Sequence, residues 1–149
     1  ILNRRGRIQK AYYGDEKNRI YAVTDQISLT QEDIREVQMA KGAIAAGIEL
    51  MMEELEITYE QVDRVILCGA FGTYMNAKSA ARIGLIPEPL LSKVIAGGNA
   101  AGMGCRQITM DQKLFALTGE LVQKIEPLDL ASLPQFQRTF AKHMAFSEV

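Results

Sequence analysis

The sequence predicts one α/β domain in which a β-hairpin precedes helices and strands that alternate. Three observations predict it. Two short apolar runs, at residues 65–69 and 93–96, each pass directly into a glycine-rich turn. A long stretch from residue 31 to 55 repeats apolar residues at three- and four-residue intervals, the spacing of one helical face. Helical patterns follow both apolar runs, and that alternation builds parallel strands joined by crossovers.

Residues 8–13 and 19–24 are rich in β-branched and aromatic side chains and flank Gly14-Asp-Glu-Lys-Asn18, a turn-forming cluster, so they read as a hairpin. A short extended piece at 27–29 follows. Thr30 can cap a helix, with Asp33 at the acidic capping-box position, and that helix should run to about Leu55. Its apolar stripe is Ile34, Val37, Ile44, Ile48, Met51 and Leu55, and Lys41 falls on the same face. A lysine there has two readings: its stem packs while the ammonium reaches water at the edge, or it contacts a ligand. Residues 64–69 form the next strand, 76–83 a helix ended by Gly84, and 93–96 a strand after the Pro87 and Pro89 loop. Residues 99–109 and 112–125 read as successive helices. After Pro127 a last amphipathic helix spans about 133–144, with Leu133, Phe136, Phe140 and Met144 at helical spacing and expected to pack on the core.

Composition narrows the class. Of 149 residues 48% are hydrophobic, enough for one core. Seventeen basic and eighteen acidic side chains nearly cancel without a basic cluster, which argues against a nucleic-acid or anionic-membrane surface. Cys68 and Cys105 lie in apolar segments and are expected to be reduced, packed thiols of a cytoplasmic protein. There is no apolar run of membrane-spanning length and no signal-peptide pattern, so the chain is expected in the cytoplasm with no membrane partner. The chain starts at Ile1 without a methionine, and the expectation is a single domain over 1–149 cut from a longer polypeptide.

The glycine turns carry the chemistry. Glycine permits positive φ and a close backbone approach, and amides at a following helix start suit phosphate or nucleotide groups. The alternative is that the glycines only allow tight strand-to-helix packing. The spacing from Gly97 to Gly102 is that of a P-loop, but Met103 and Gly104 stand where lysine and a hydroxyl residue belong. No dinucleotide G-x-G-x-x-G occurs at either turn, so nicotinamide chemistry has little support. His143, the single histidine, has no neighbouring acid in sequence to orient it and reads as a packing or surface residue. Glu53, Glu54, Glu56 and Glu60 read as a solvated face, and Met51 and Met52 as core filler or interface surface. Two cysteines and one histidine cannot complete a four-ligand zinc or iron–sulfur site, so no catalytic residue and no metal ligand is assigned.

Four segments occur in a fixed order: Gln38-Met-Ala-Lys-Gly-Ala-Ile44, Gly69-Ala-Phe-Gly-Thr-Tyr74, Ser79-Ala-Ala-Arg-Ile-Gly-Leu-Ile-Pro87 and Gly98-Asn-Ala-Ala-Gly102. Together they make the chain, from about Ser28 to its end, resemble the C-terminal domain of the reductive activators of corrinoid proteins. These belong to the acetate and sugar kinase, heat-shock and actin superfamily of ATPases. The resemblance implies a ribonuclease H-like half of an actin-like ATPase, the C-terminal part of a multidomain protein. It also implies that Gln38 and Lys41, with Gly42, flank the ribose and adenine from the long helix. Gly69, Ala70, Phe71 and Gly72 would lie against the adenosine, with Gly98 and Asn99 supporting the pocket. Ala70 departs from the Gly-Gly of the wider superfamily motif.

By the same resemblance, ATP with magnesium is shared with a preceding lobe, and an iron–sulfur cluster sits in another domain, so neither is expected on this fragment alone. The whole protein would couple ATP hydrolysis to electron transfer that reduces a cobalt(II) corrinoid to cobalt(I) and so restores a methyl-transfer partner. Its partner would be a corrinoid protein or corrinoid methyltransferase, with a homodimer as a family expectation and the isolated fragment inactive. The alternative is a non-catalytic interaction or dimerisation module with a vestigial nucleotide pocket.

Overall fold

The computed structural model describes residues 1–13 and 19–146. Two strands of two residues, β1 (Tyr21–Ala22) and β2 (Ser28–Leu29), pair antiparallel with Tyr21 opposite Leu29. The hairpin therefore differs from the expected one. Residues 8–13 do not pair with 19–24 among the described residues; Lys10–Tyr12 form a 3-10 turn and Ile8 bridges Leu2. The reason is local: Thr24 Oγ1 accepts the amides of Gln26 and Ile27, and Val23 N–H reaches Ile27 O at 2.8 Å, which closes a turn onto Ser28. The expected turn cluster at 14–18 lies outside the described residues.

Helix α1 (Gln31–Glu54) starts at the expected capping box. Thr30 Oγ1 accepts from Asp33 N–H at 3.1 Å, and the Asp33 carboxylate accepts from Thr30 N–H at 2.8 Å. These bonds, from the Thr30 backbone first and its hydroxyl second, hold the Asp33 carboxyl below its ordinary range. The buried face departs from the expected stripe. Val37, Met51 and Leu55 face solvent, while Ile34, Gln38, Lys41, Gly42, Ala45, Ala46, Gly47 and Leu50 are buried. Small residues decide this. A Cβ on Gly42 would stand 3.2 Å from Met144 Cγ, and one on Gly47 would stand 3.3 Å from Leu130 Cδ1, so the C-terminal segment can close on α1 only there.

Beyond α1, β3 (Val65–Cys68) and β4 (Val94–Gly98) pair parallel, Val65 opposite Val94 and Ile66 opposite Ile95, with a bulge that sets Cys68 opposite Gly98. The crossover between them holds α2 (Gly69–Tyr74), α3 (Ala77–Arg82) and a 3-10 segment (Glu88–Lys93). After β4 come α4 (Ala100–Met110), α5 (Gln112–Val122) and α6 (Phe136–Met144). Ala80, Leu85, Ile86 and Leu90 form the main buried cluster, and Ile44 and Ile48 of α1 pack on it from one side, Val65, Leu67 and Val94 of the strands from another. Helix α6 packs along α1, with Phe136 and Phe140 stacked at 5.9 Å, as its spacing predicts. Both cysteines are free thiols, yet both are exposed, against the expectation of packed ones. Cys68 sits on the outward phase of β3, and α4, which carries Cys105, buries none of its residues.

Candidate functional site

The predicted site residues fall into two groups. The first lies at the carboxyl ends of β3 and β4, the edge at which open α/β sheets take ligands. Gly69 (φ 70°) and Gly98 (φ 57°) adopt left-handed backbone, and a Cβ on either would meet nothing within 4 Å. Their demand for glycine is thus conformational, and the space beside them is open. Gly72 differs: a Cβ there would come within 2.0 Å of Leu67 O and 3.1 Å of Gly98 N. Its lack of a side chain lets α2 lie directly on the ends of both strands. What reads as a loose glycine turn in sequence is in fact a helix, because Gly69 completes the corner in one residue and 70–72 are already helical. Ala70 and Phe71 follow Gly69 within α2.

Asn99 caps α4, its Oδ1 accepting Gly102 N–H at 2.9 Å, and a Cβ on Gly102 would strike that side chain at 2.6 Å. Gly69, Gly72, Gly98 and Asn99 therefore form one glycine shelf held by strand pairing. It offers backbone to a flat ligand. It contains no acid–base pair or activated nucleophile, so the chemistry available to it is binding.

The second group is Gln38, Lys41 and Gly42, under α6. Lys41 is only 2% exposed. Its Nζ donates to His143 O at 2.5 Å and Ala145 O at 2.6 Å, and stands 5.0 Å above the Phe146 ring. Burial pulls its pKa below the ordinary lysine value. Gln38 Nε2 donates to Met144 O at 2.8 Å and Arg5 O at 3.3 Å. The bonds to residues 143–145 satisfy carbonyls that the end of α6 leaves without helical partners. The ammonium is internal and clamps the C-terminal segment rather than reaching water at an edge.

Sequence reasoning missed the acid beside His143. Glu49 of α1 accepts from His143 Nε2 at 2.6 Å and from Lys142 Nζ at 2.7 Å. Burial raises the Glu49 pKa, but the hydrogen bonds and charges of Lys142 and His143 outweigh it and hold the carboxyl below its ordinary value. The pair spans 94 positions, so local spacing carries no sign of it. A cavity of about 360 Å³ adjoins this cluster, lined by Arg4, Lys41, Lys142, His143 and Phe146. Among the described residues no three of His, Cys, Asp or Glu converge as a metal site, and no helix is long and apolar enough to cross a membrane.

The sequence profile of the family described as the C-terminal domain of RACo, the ASKHA domain, matches residues 2–149. The chain belongs to this family. Its ASKHA domain is 30% identical over 122 residues to the "Corrinoid activation enzyme RamQ" of Eubacterium limosum, covering 82% of this chain and 21% of that protein. It is 29% identical over 99 residues to the "[Co(II) methylated amine-specific corrinoid protein] reductase" of Methanosarcina barkeri, covering 66% of this chain and 18% of that protein. A solved structure titled "Reductive activator for corrinoid,iron-sulfur protein" superposes at a TM-score of 0.84 with 28% identity, covering 98% of this chain and 25% of that one. The ASKHA domain thus spans about a fifth of the curated relatives' length. The α/β class read from the residues and the actin-like fold implied by the resemblance are the fold found.

Proposed function

We propose that this ASKHA domain is the C-terminal, adenosine-side part of a longer, cytoplasmic protein that activates corrinoid proteins by ATP-dependent reduction. The observation that carries the reading is the glycine shelf, open at Gly69 and Gly98 and floored by Gly72, at the strand ends of a domain whose family is described as an ASKHA domain. Backbone at Gly69, Ala70, Phe71, Gly72 and Gly98 would approach the adenosine, and Asn99 would fix the second turn by capping α4. The absence of acid–base groups on the shelf fits a shared cleft, with Mg²⁺ and the phosphates gripped by a preceding lobe. Hydrolysis of bound ATP would supply the free energy for moving an electron from an iron–sulfur cluster elsewhere in the polypeptide to a cobalt(II) corrinoid, giving cobalt(I). The printed names of the relatives support corrinoid proteins as the partner class.

A second reading has an observation of its own. Lys41 gives its hydrogen bonds to the C-terminal segment, and Gln38 divides its own between that segment and Arg5 O, which favours a vestigial pocket in a domain used for interaction. Calorimetric titration of ATP and ADP, each with magnesium, into the full-length protein and the 149-residue chain separates the two. We expect binding by the full-length protein that weakens greatly in the isolated chain. Gly98→Val, which forces a β-branched residue into left-handed backbone, should weaken binding at least ~10-fold. No binding by either protein would favour the interaction module.

A further inference from the structure

The cavity under the end of α6, about 360 Å³ in volume, is the size of a small ligand pocket. Arg4, Lys41, Lys142 and His143 all reach it, and among the described residues no carboxylate lines it. Glu49 bonds Lys142 and His143 but is not part of the wall. The whole chain has a formal charge of -1, so this local gathering of basic groups does not follow from composition.

Lys41 is the residue that points to a ligand. Its side chain is 2% exposed, and among the described residues no carboxylate pairs with it. The carbonyls of His143 and Ala145 give it hydrogen bonds but no opposite charge, and burial still holds its pKa below the ordinary value. An ammonium has three N–H donors, and these two bonds leave one. A buried cation without a counter-charge is costly, and an anion in the adjoining space would offset that cost. The end of α6 does not prevent this, because the carbonyls of His143, Met144 and Ala145 already accept from Lys41 and Gln38. Lys142, with its side chain 64% exposed, holds Glu49 in a surface pair of the kind that contributes little, so its ammonium can turn to a ligand. Arg4 adds a guanidinium, whose fork of donors matches the oxygens of an oxyanion. Three cations around one space favour a doubly charged oxyanion over a single carboxylate. We propose that this cavity binds a phosphate group, either free phosphate or the phosphoryl end of a small organic molecule. It shares no residue with the glycine shelf and does not depend on the nucleotide reading.

The test is calorimetric titration of inorganic phosphate into the full-length protein, first without nucleotide and then with saturating ADP and magnesium. The expected result is a Kd of about 1 mM, unchanged by ADP and raised at least ~10-fold in an Arg4→Gln, Lys142→Gln variant. Both of those positions are exposed, so the variant should keep the fold, which a thermal melt checks. Binding should be lost in Lys41→Met, and the double variant decides the matter if Lys41→Met does not fold. Phenyl phosphate distinguishes the two sources. Tighter binding than inorganic phosphate means a phosphoryl group whose organic part lies against Phe146, and equal or weaker binding means the free ion. Absence of phosphate binding up to about 50 mM, or equal affinity in the double variant, overturns the proposal. Loss of phosphate binding on adding ADP also overturns it, since the anion then sits in the nucleotide cleft. Failure of ADP to bind at all would remove the nucleotide reading and leave the phosphate result to stand by itself.

Discussion

An ammonium as deeply buried as that of Lys41 must be surrounded by oxygen, and the carbonyls of His143 and Ala145, with the Phe146 ring above, provide that environment without a carboxylate. Lys41→Ala deletes two charge-assisted bonds and strands two carbonyls. Set against the relieved desolvation of the charge, we expect a net loss of about 3 kcal/mol, read as a lower urea midpoint at unchanged m-value. An unchanged midpoint would show that the clamp is not structural. Since burial lowers the Lys41 pKa, the unfolded chain holds the proton more tightly. The burial cost of the charge is therefore fully present below the lowered folded value and is relieved as pH rises from that value to the ordinary 10.5, so stability gains from Lys41 titration only on the alkaline side. Gly72 is the second residue under tight constraint. With a Cβ only 2.0 Å from Leu67 O, Gly72→Ala must lift α2 off the strand ends, and a loss of about 3 kcal/mol in chemical denaturation is expected, with nucleotide affinity of the full-length protein falling alongside. Wild-type stability in that variant would mean the shelf has slack that its geometry does not show.

Among the elements, the pairing of α1 with α6 joins the two ends of the domain, and Glu49 is its polar fastening. Its folded pKa lies below the ordinary 4.5, so the stabilisation from Glu49 is fully present above that pH and is lost as pH falls through the folded value. Unfolding measured from pH 6 down to pH 3 should show the wild type losing about 1 kcal/mol more than Glu49→Gln, which cannot ionise there. Parallel pH curves for the two proteins would sink that assignment. Helix α1 also shows where amphipathic pattern misleads. Val37, Met51 and Leu55 satisfy the helical spacing but face solvent, whereas Gly42, Ala45, Ala46 and Gly47 are buried, and at the two glycines α6 and Leu130 approach too closely for a larger side chain.

At the scale of the molecule, two separate two-stranded sheets, a long helix crossed by the C-terminal helix, and an exposed helical hairpin add up to a domain with one modest core. If nucleotide binds the folded full-length protein and not the unfolded chain, ATP with magnesium at 100 times its Kd should add about 2.7 kcal/mol to stability and raise the melting temperature. A melt indifferent to ATP would argue against the adenosine shelf. Much of this was determined by the sequence alone. The Thr30–Asp33 capping box, the α/β alternation, the parallel strands and the glycine corners after them depend on neighbours within a few positions, where capping, periodicity and backbone sterics act. The ordered set of short segments was enough to suggest the family. Tertiary structure alone decided the rest: the internal clamp of Lys41, the Glu49–His143 contact and the outward turn of both cysteines. Each depends on which distant segments come together, and long-range packing assigns partners across about a hundred residues, a separation that no local pattern encodes.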